Sequence, residues 1–153
     1  MMKKHYKDIA FGENRARRRV LTEFKTLVTK YFTSSTLNMI TGEYSEKPEA
    51  KEAREAINLI LRQAYEIIRL ADIKTYSASN TMLSSSGHGK SMDLILNIFN
   101  LGRNEIPSGV AIDYIERAID VYKSNRLSSL IRTINPFFWI KCLIDYIMGR
   151  NRE

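Results

Sequence analysis

The sequence predicts an all-α fold, a compact bundle of five or six helices in a single domain spanning the 153 residues. Three observations predict it. Apolar residues recur at spacings of three and four through most of the chain, the period of a helix with one buried face. All three prolines, Pro48, Pro107 and Pro136, stand at or near expected helix starts, where a missing N–H costs nothing and the fixed φ is already helical. Glycine and proline together fill only ten positions, with no repeat, low-complexity tract or linker, which excludes collagen-like and disordered chains. A chain of this length buries about 70% of the surface its unfolded form exposes, so its core needs neither disulfide nor metal.

The first helix is predicted over 14–32. Val20, Leu21, Phe24, Leu27, Val28, Tyr31 and Phe32 fill one broad arc, and Arg15, Arg18, Arg19, Lys25 and Lys30 form a basic surface opposite it. Arg17 points into the apolar arc, which predicts fraying of the first turn. Thr33 to Lys47 is rich in Ser and Thr around Thr41-Gly42, a loop or a small hairpin in which no strand is predicted.

Pro48, followed by Glu49, Glu52 and Glu55 near the positive end of the dipole, opens a long helix over 48–73. Ala53, Ile57, Ile60, Leu61, Ala64, Ile67, Ile68 and Ala71 make its buried stripe. Leu59 and Leu70 fall outside the stripe, which predicts contact on more than one side and a central place in the bundle. A polar loop follows at 76–91, then a helix over 92–101 capped by Gly102 and another over 107–124, whose Ala111, Ile115, Ala118, Ile119 and Tyr122 share a face. The next segment, 126–134, begins with Leu127, Leu130, Ile131 and Ile134. It breaks at Asn135-Pro136, an N-cap and first helical position that start a last helix over 136–148.

Within the loop, Ser84-Ser85-Ser86-Gly87-His88-Gly89-Lys90-Ser91 resembles the phosphate-binding loop of P-loop nucleotide hydrolases. The resemblance covers eight residues and implies phosphate binding by Gly87, Gly89, Lys90 and Ser91. Ser84 stands where the family has its first glycine, Tyr76 to Leu83 lacks the apolar run of a parallel strand, and Val110 to Asp113 fits a helix rather than a second strand. What remains is an anion site made by backbone N–H groups at a helix start.

The net charge of +7 is uneven: residues 1–30 carry +6, residues 31–122 carry −3 and residues 123–153 carry +4. Basic ends flanking an acidic middle point to an anionic partner, nucleic acid or membrane headgroups. Enzyme chemistry has little to stand on, so no catalytic residue, metal ligand or cofactor is expected. The two histidines, His5 and His88, form no metal motif, Asp113 and Glu116 fit a solvated helix face, and the single Cys142 lies among apolar residues as a small core side chain. One cysteine suggests a reducing compartment, and Met1 to Lys4 leads into no apolar signal run, so the expectation is a cytoplasmic protein. A helix-turn-helix outline over 92–122 fails on charge, because Asp113, Glu116 and Asp120 oppose Arg117 and Lys123. Nucleic-acid binding would then be non-specific, through phosphate contacts of the first helix.

The C-terminal run is the other unusual feature. From Phe137 to Met148 ten of twelve residues are apolar, and Lys141 and Asp145 make one narrow polar stripe. Twelve helical residues extend about 18 Å, short of a hydrocarbon core of about 30 Å. Three placements remain: a core helix, a partner or oligomer interface, or a helix in the membrane interface. In the last, Phe137, Phe138, Trp139 and Tyr146 sit at headgroup depth, with Arg132, Lys141, Arg150 and Arg152 towards anionic lipid. The sequence thus predicts a non-enzymatic interaction or scaffolding module, peripheral to the inner face of the membrane in one version. It would engage a protein partner, itself or an anionic membrane surface through its basic N-terminal and aromatic C-terminal helices. A non-specific nucleic-acid binder and a phosphate-binding protein are the alternatives.

Overall fold

The computed structural model describes residues 4–38, 40–41, 43–73, 93–102 and 106–150, apart from the side chains of residues 145, 149 and 150. The fold is all-α, as expected. Helix α1, Phe11–Thr33, buries Asn14, Arg17, Leu21, Phe24, Val28 and Tyr31. These six alternate at spacings of three and four, which lines them up as one seam. Helix α2, Pro48–Leu70, answers with Ala50, Ala53, Ile57, Ala64, Ile67 and Ile68. Its alanines let the two backbones approach closely.

Helix α1 packs against α2, against α3, Ser108–Ser124, and against α4, Arg126–Ile134, so it is the central helix. The central place expected for the helix at 48–73 is therefore corrected. Leu59 is 87% exposed, because the single stripe of α2 is satisfied by α1 and leaves its outer face to solvent. That helix also ends earlier than expected. Ala71 is its C-cap and Asp72 adopts φ 57°, a left-handed conformation from which a helix cannot continue.

Between α1 and α2 the hairpin forms after all. Strands β1, Ser35–Leu37, and β2, Tyr44–Glu46, pair antiparallel with Thr36 opposite Ser45. Asn38 makes it: its Oδ1 accepts from Ile40 N at 2.9 Å and Thr41 N at 3.3 Å, and its own N–H donates to Glu43 O at 2.8 Å. That is an Asx turn, whose signal is one side chain rather than a strand pattern.

Residues 93–101 do not form the α-helix expected over 92–101. Asp93 Oδ1 accepts from the N–H groups of Ile95 and Leu96, Asn97 Nδ2 donates to Asp93 O at 2.8 Å, and a 3-10 turn follows at Ile98–Asn100. The Asp and Asn side chains compete for backbone groups that a longer helix would use. Leu94, Ile95, Ile98 and Leu101 still reach the core.

Helix α3 buries Ala111, Tyr114, Ile115, Ala118 and Tyr122. Tyr122 joins three helices: its hydroxyl donates to Ile67 O of α2 at 2.8 Å and accepts from Arg17 Nη1 of α1 at 3.3 Å. The first turn of α1 is thus ordered, not frayed. Arg17 enters the apolar arc because it has partners there, the second being Glu13 Oε1 at 2.5 Å from Nη2, and a buried guanidinium survives only when so paired.

Candidate interaction surface

The N-terminal segment before α1 sets the geometry of the C-terminal helices. A 3-10 turn at Tyr6–Asp8 and the fully buried Ile9 bring residues 5–11 along α4. Asn125 Nδ2, at the head of α4, donates to Tyr6 O at 2.6 Å, and Arg132 Nη2 donates to Asn125 Oδ1 at 2.8 Å. Arg132 Nε reaches Ile9 O at 3.2 Å, and Phe11 N donates to Thr133 Oγ1 at 2.8 Å. Asn125 and Ser129 are buried, and Arg132 and Thr133 half-buried.

Residues 125, 129, 132 and 133 form the face of α4 turned to the bundle, and this face is polar. The opposite face holds Leu127, Leu130, Ile131 and Ile134, all exposed, within an arc of about 100°. An amphipathic helix on a bundle ordinarily turns its apolar stripe inward. Helix α4 is inverted.

Helix α5, Pro136–Arg150, continues this surface. The expected N-cap forms: Asn135 Oδ1 accepts from Phe137 N at 3.0 Å. The helix packs on α4 near this junction, where Trp139 Nε1 donates to Thr133 O at 2.8 Å and satisfies a carbonyl left over at the end of α4. Phe138 is half-buried beneath Lys4, whose Nζ lies 5.9 Å from the ring centre. Cys142, expected in the core, is only half-buried, with Lys4 Nζ donating to its Sγ at 3.1 Å.

The core placement of this run is not what forms. Phe137, Trp139, Ile140, Leu143, Ile144, Tyr146, Ile147 and Met148 are all exposed. At 100° per residue they fill an arc of about 200°. With the four residues of α4, twelve large apolar side chains are 40% to 76% exposed. At roughly 150–200 Å² per side chain this amounts to about 1,200 Å², well beyond the few hundred Å² usual for the largest apolar patch on a monomer.

Cations frame this surface. Segments 4–19 and 123–148 meet at this end of the bundle and carry ten lysines and arginines against Asp8, Glu13 and Asp145. Of the five basic residues expected on α1, Arg15 and Arg19 are exposed and Arg18 half-buried, in the turns next to α4, and none has an ion-pair partner among the described residues. Lys25 and Lys30 lie further along and are engaged: Lys25 Nζ is 3.0 Å from Glu116 Oε1, and Lys30 Nζ is 3.5 Å from Glu52 Oε2. The continuous basic face expected along α1 is thus shortened to its first turns, because α2 and α3 supply acids to the rest.

Lys4, Asn125, Ser129 and Thr133 do not stand out in the sequence as parts of this site. A signal was present, since 125, 129 and 132–133 make a polar stripe at helical spacing, but a period does not say which stripe faces inward. Gly87, Gly89, Lys90 and Ser91, with the whole loop at 76–91 and His88, lie outside the described residues. Among the described residues no three His, Cys, Asp or Glu side chains are grouped to hold a metal, and no helix is long and apolar enough to cross a membrane. Comparison of the chain with protein families, curated proteins and solved structures finds no match.

Proposed function

We propose that the chain is a non-enzymatic docking module whose α4–α5 end engages an anionic membrane surface. The observation that carries this reading is the inverted α4, fixed to the bundle by its polar face while Leu127, Leu130, Ile131 and Ile134 join the apolar arc of α5 outside. Two features favour lipid over a second copy of the chain. A helix packed on one neighbour needs an apolar stripe of about 100°, whereas α5 offers about twice that. A second copy would also bring ten more lysines and arginines against the ten already there. An anionic headgroup layer accepts both, with acyl chains meeting the apolar arc and phosphates the cations.

The 15 residues of α5 extend about 22 Å, so the helix lies at the interface rather than crossing it. Trp139 and Tyr146 are of the type that prefers headgroup depth. Each arginine near such a surface contributes about 1 kcal/mol at low salt, so Arg15, Arg18 and Arg19 together are worth roughly 100-fold in partitioning.

Cosedimentation with phosphatidylglycerol-rich and with pure phosphatidylcholine vesicles tests the proposal. Binding to the first alone, weakened about 100-fold by replacing Arg15, Arg18 and Arg19 with Ala and abolished by Phe137→Ser with Ile144→Ser, supports it. Absence of vesicle binding, with light scattering showing a dimer that the serine variant dissociates, assigns the surface to a second copy instead.

A further inference from the structure

The apolar face of α4 and α5 holds almost no charge of its own. Between Leu127 and Met148 the charged residues are Arg132, Lys141 and Asp145, and Arg132 is turned to the bundle, where it donates to Ile9 O and Asn125 Oδ1. Residues 136–148 of α5 therefore have a net charge of zero. The cations that frame the surface belong to other elements, Arg15, Arg18 and Arg19 to α1 and Lys4 and Lys7 to the segment before it. A helix held on a closed headgroup layer by charge carries lysines and arginines on its own polar face. Helix α5 offers Lys141 alone over 136–148, so its hold on lipid is through acyl chains.

The surface is also preformed. Asn125, Arg132 and Thr133 bond α4 to the N-terminal segment, Asn135 caps α5, and Trp139 ties α5 back to the last carbonyls of α4. Both helices exist before lipid is met and enter it as one body. With nine residues in α4, fifteen in α5 and a helix width of about 10 Å, the pair has a footprint of roughly 350 Å². Insertion opens that area among the headgroups of one leaflet. In a flat leaflet the gap is opened against lipid packing, whereas outward curvature has already spread the headgroups and bared acyl carbon, which the helices then remove from water. At about 25 cal/mol per Å², bare acyl surface of about 55 Å², roughly a sixth of the footprint, amounts to a tenfold preference.

We propose that the α4–α5 surface selects strongly curved anionic membranes, whose outer leaflet has packing gaps, over flat membranes of the same composition. The inference rests on the membrane-docking reading above and adds which kind of membrane the surface takes. Two parts of this end of the bundle divide the task. Arg15, Arg18 and Arg19 attract the chain to anionic headgroups of any curvature, and the nearly uncharged apolar arc responds to how far those headgroups are spread.

Flotation of the full chain with vesicles of phosphatidylglycerol and phosphatidylcholine in one fixed ratio, about 30 nm or about 400 nm across and matched in outer-leaflet lipid, tests it. Binding to the small vesicles at least about tenfold tighter is expected. Replacing Arg15, Arg18 and Arg19 with Ala should weaken binding to both sizes alike and leave their ratio within about twofold. Ile140→Ser with Leu143→Ser, at exposed positions, should bring the ratio close to one. Leu127→Ser with Leu130→Ser on α4 gives a second reading if the first pair loses helix by circular dichroism. Diacylglycerol, whose small headgroup opens similar gaps, should raise binding to the large vesicles towards that of the small. Equal binding to both sizes overturns the curvature preference and leaves the docking reading in place, whereas binding to neither overturns both. A size preference that both folded serine pairs leave unchanged also overturns the proposal, since it would not lie in the apolar arc.

Discussion

If α4 is held by its polar face, the usual rule for a helix on a bundle is reversed there, and Asn125→Ala is the variant that exposes it. Asn125 is buried, donates to Tyr6 O at 2.6 Å and accepts from Arg132 at 2.8 Å. Alanine removes a neutral bond worth about 1 kcal/mol and a charge-assisted one worth about 1.5–3 kcal/mol, and leaves the half-buried carbonyl of Tyr6 without this donor. The expected loss is about 3 kcal/mol, or roughly 6–12 °C in Tm at this chain length. Ile131→Ser and Ile134→Ser, at exposed apolar positions, are expected to stay within about 0.5 kcal/mol. Urea unfolding of the lipid-free chain at micromolar concentration, followed by far-ultraviolet circular dichroism, measures all three. A loss above about 2 kcal/mol in the serine variants with Asn125→Ala near neutral would refute the inverted packing.

The remaining predictions concern the bundle. Leu21→Ala, at a fully buried position on the seam of α1, is expected to cost about 3 kcal/mol, while Leu59→Ala on the outer face of α2 costs under about 0.5 kcal/mol. Equal losses in the same denaturation assay would return α2 to the centre of the bundle. The hydroxyls of Tyr31 and Tyr122 are both raised above their ordinary pKa, chiefly by burial. Unfolded, each ionises near pH 10, so above that pH the native chain binds more protons than the unfolded one. Stability is therefore complete below about pH 10 and falls above it by about 1.4 kcal/mol per pH unit per tyrosine. Tyr31→Phe should flatten this alkaline loss in melts between pH 9 and 11; an unchanged slope would show that the phenol does not contribute.

What the sequence made legible follows from which signals are local. The apolar period over α1 and α2 and the N-cap at Asn135 depend on neighbours within a few turns, and these elements form, with α1 starting at Phe11 rather than residue 14 and α2 ending at Leu70 rather than residue 73. The hairpin hangs on the side chain of Asn38 and the irregular segment 93–101 on Asp93 and Asn97, single competitions that no periodicity reports. The choice of central helix is set by which face finds a neighbour, and Leu59 illustrates how an extra leucine misleads. The candidate surface was half legible. Its apolar residues stood out, but the inversion of α4 depends on the N-terminal segment more than 110 residues away, through Tyr6, Ile9 and Phe11. Likewise the pairing of Lys25 with Glu116 and of Lys30 with Glu52 becomes visible only once α2 and α3 are placed beside α1.

Emission from Trp139, the single tryptophan, tests the central claim most directly, since this residue is 51% exposed in the middle of the proposed docking surface. The account predicts a red-shifted spectrum in buffer, independent of protein concentration. Phosphatidylglycerol-rich vesicles should shift it to the blue, phosphatidylcholine vesicles should not, and salt should reverse the shift. A spectrum already blue in buffer and unchanged by vesicles would contradict it, as would a blue shift that follows protein concentration without lipid.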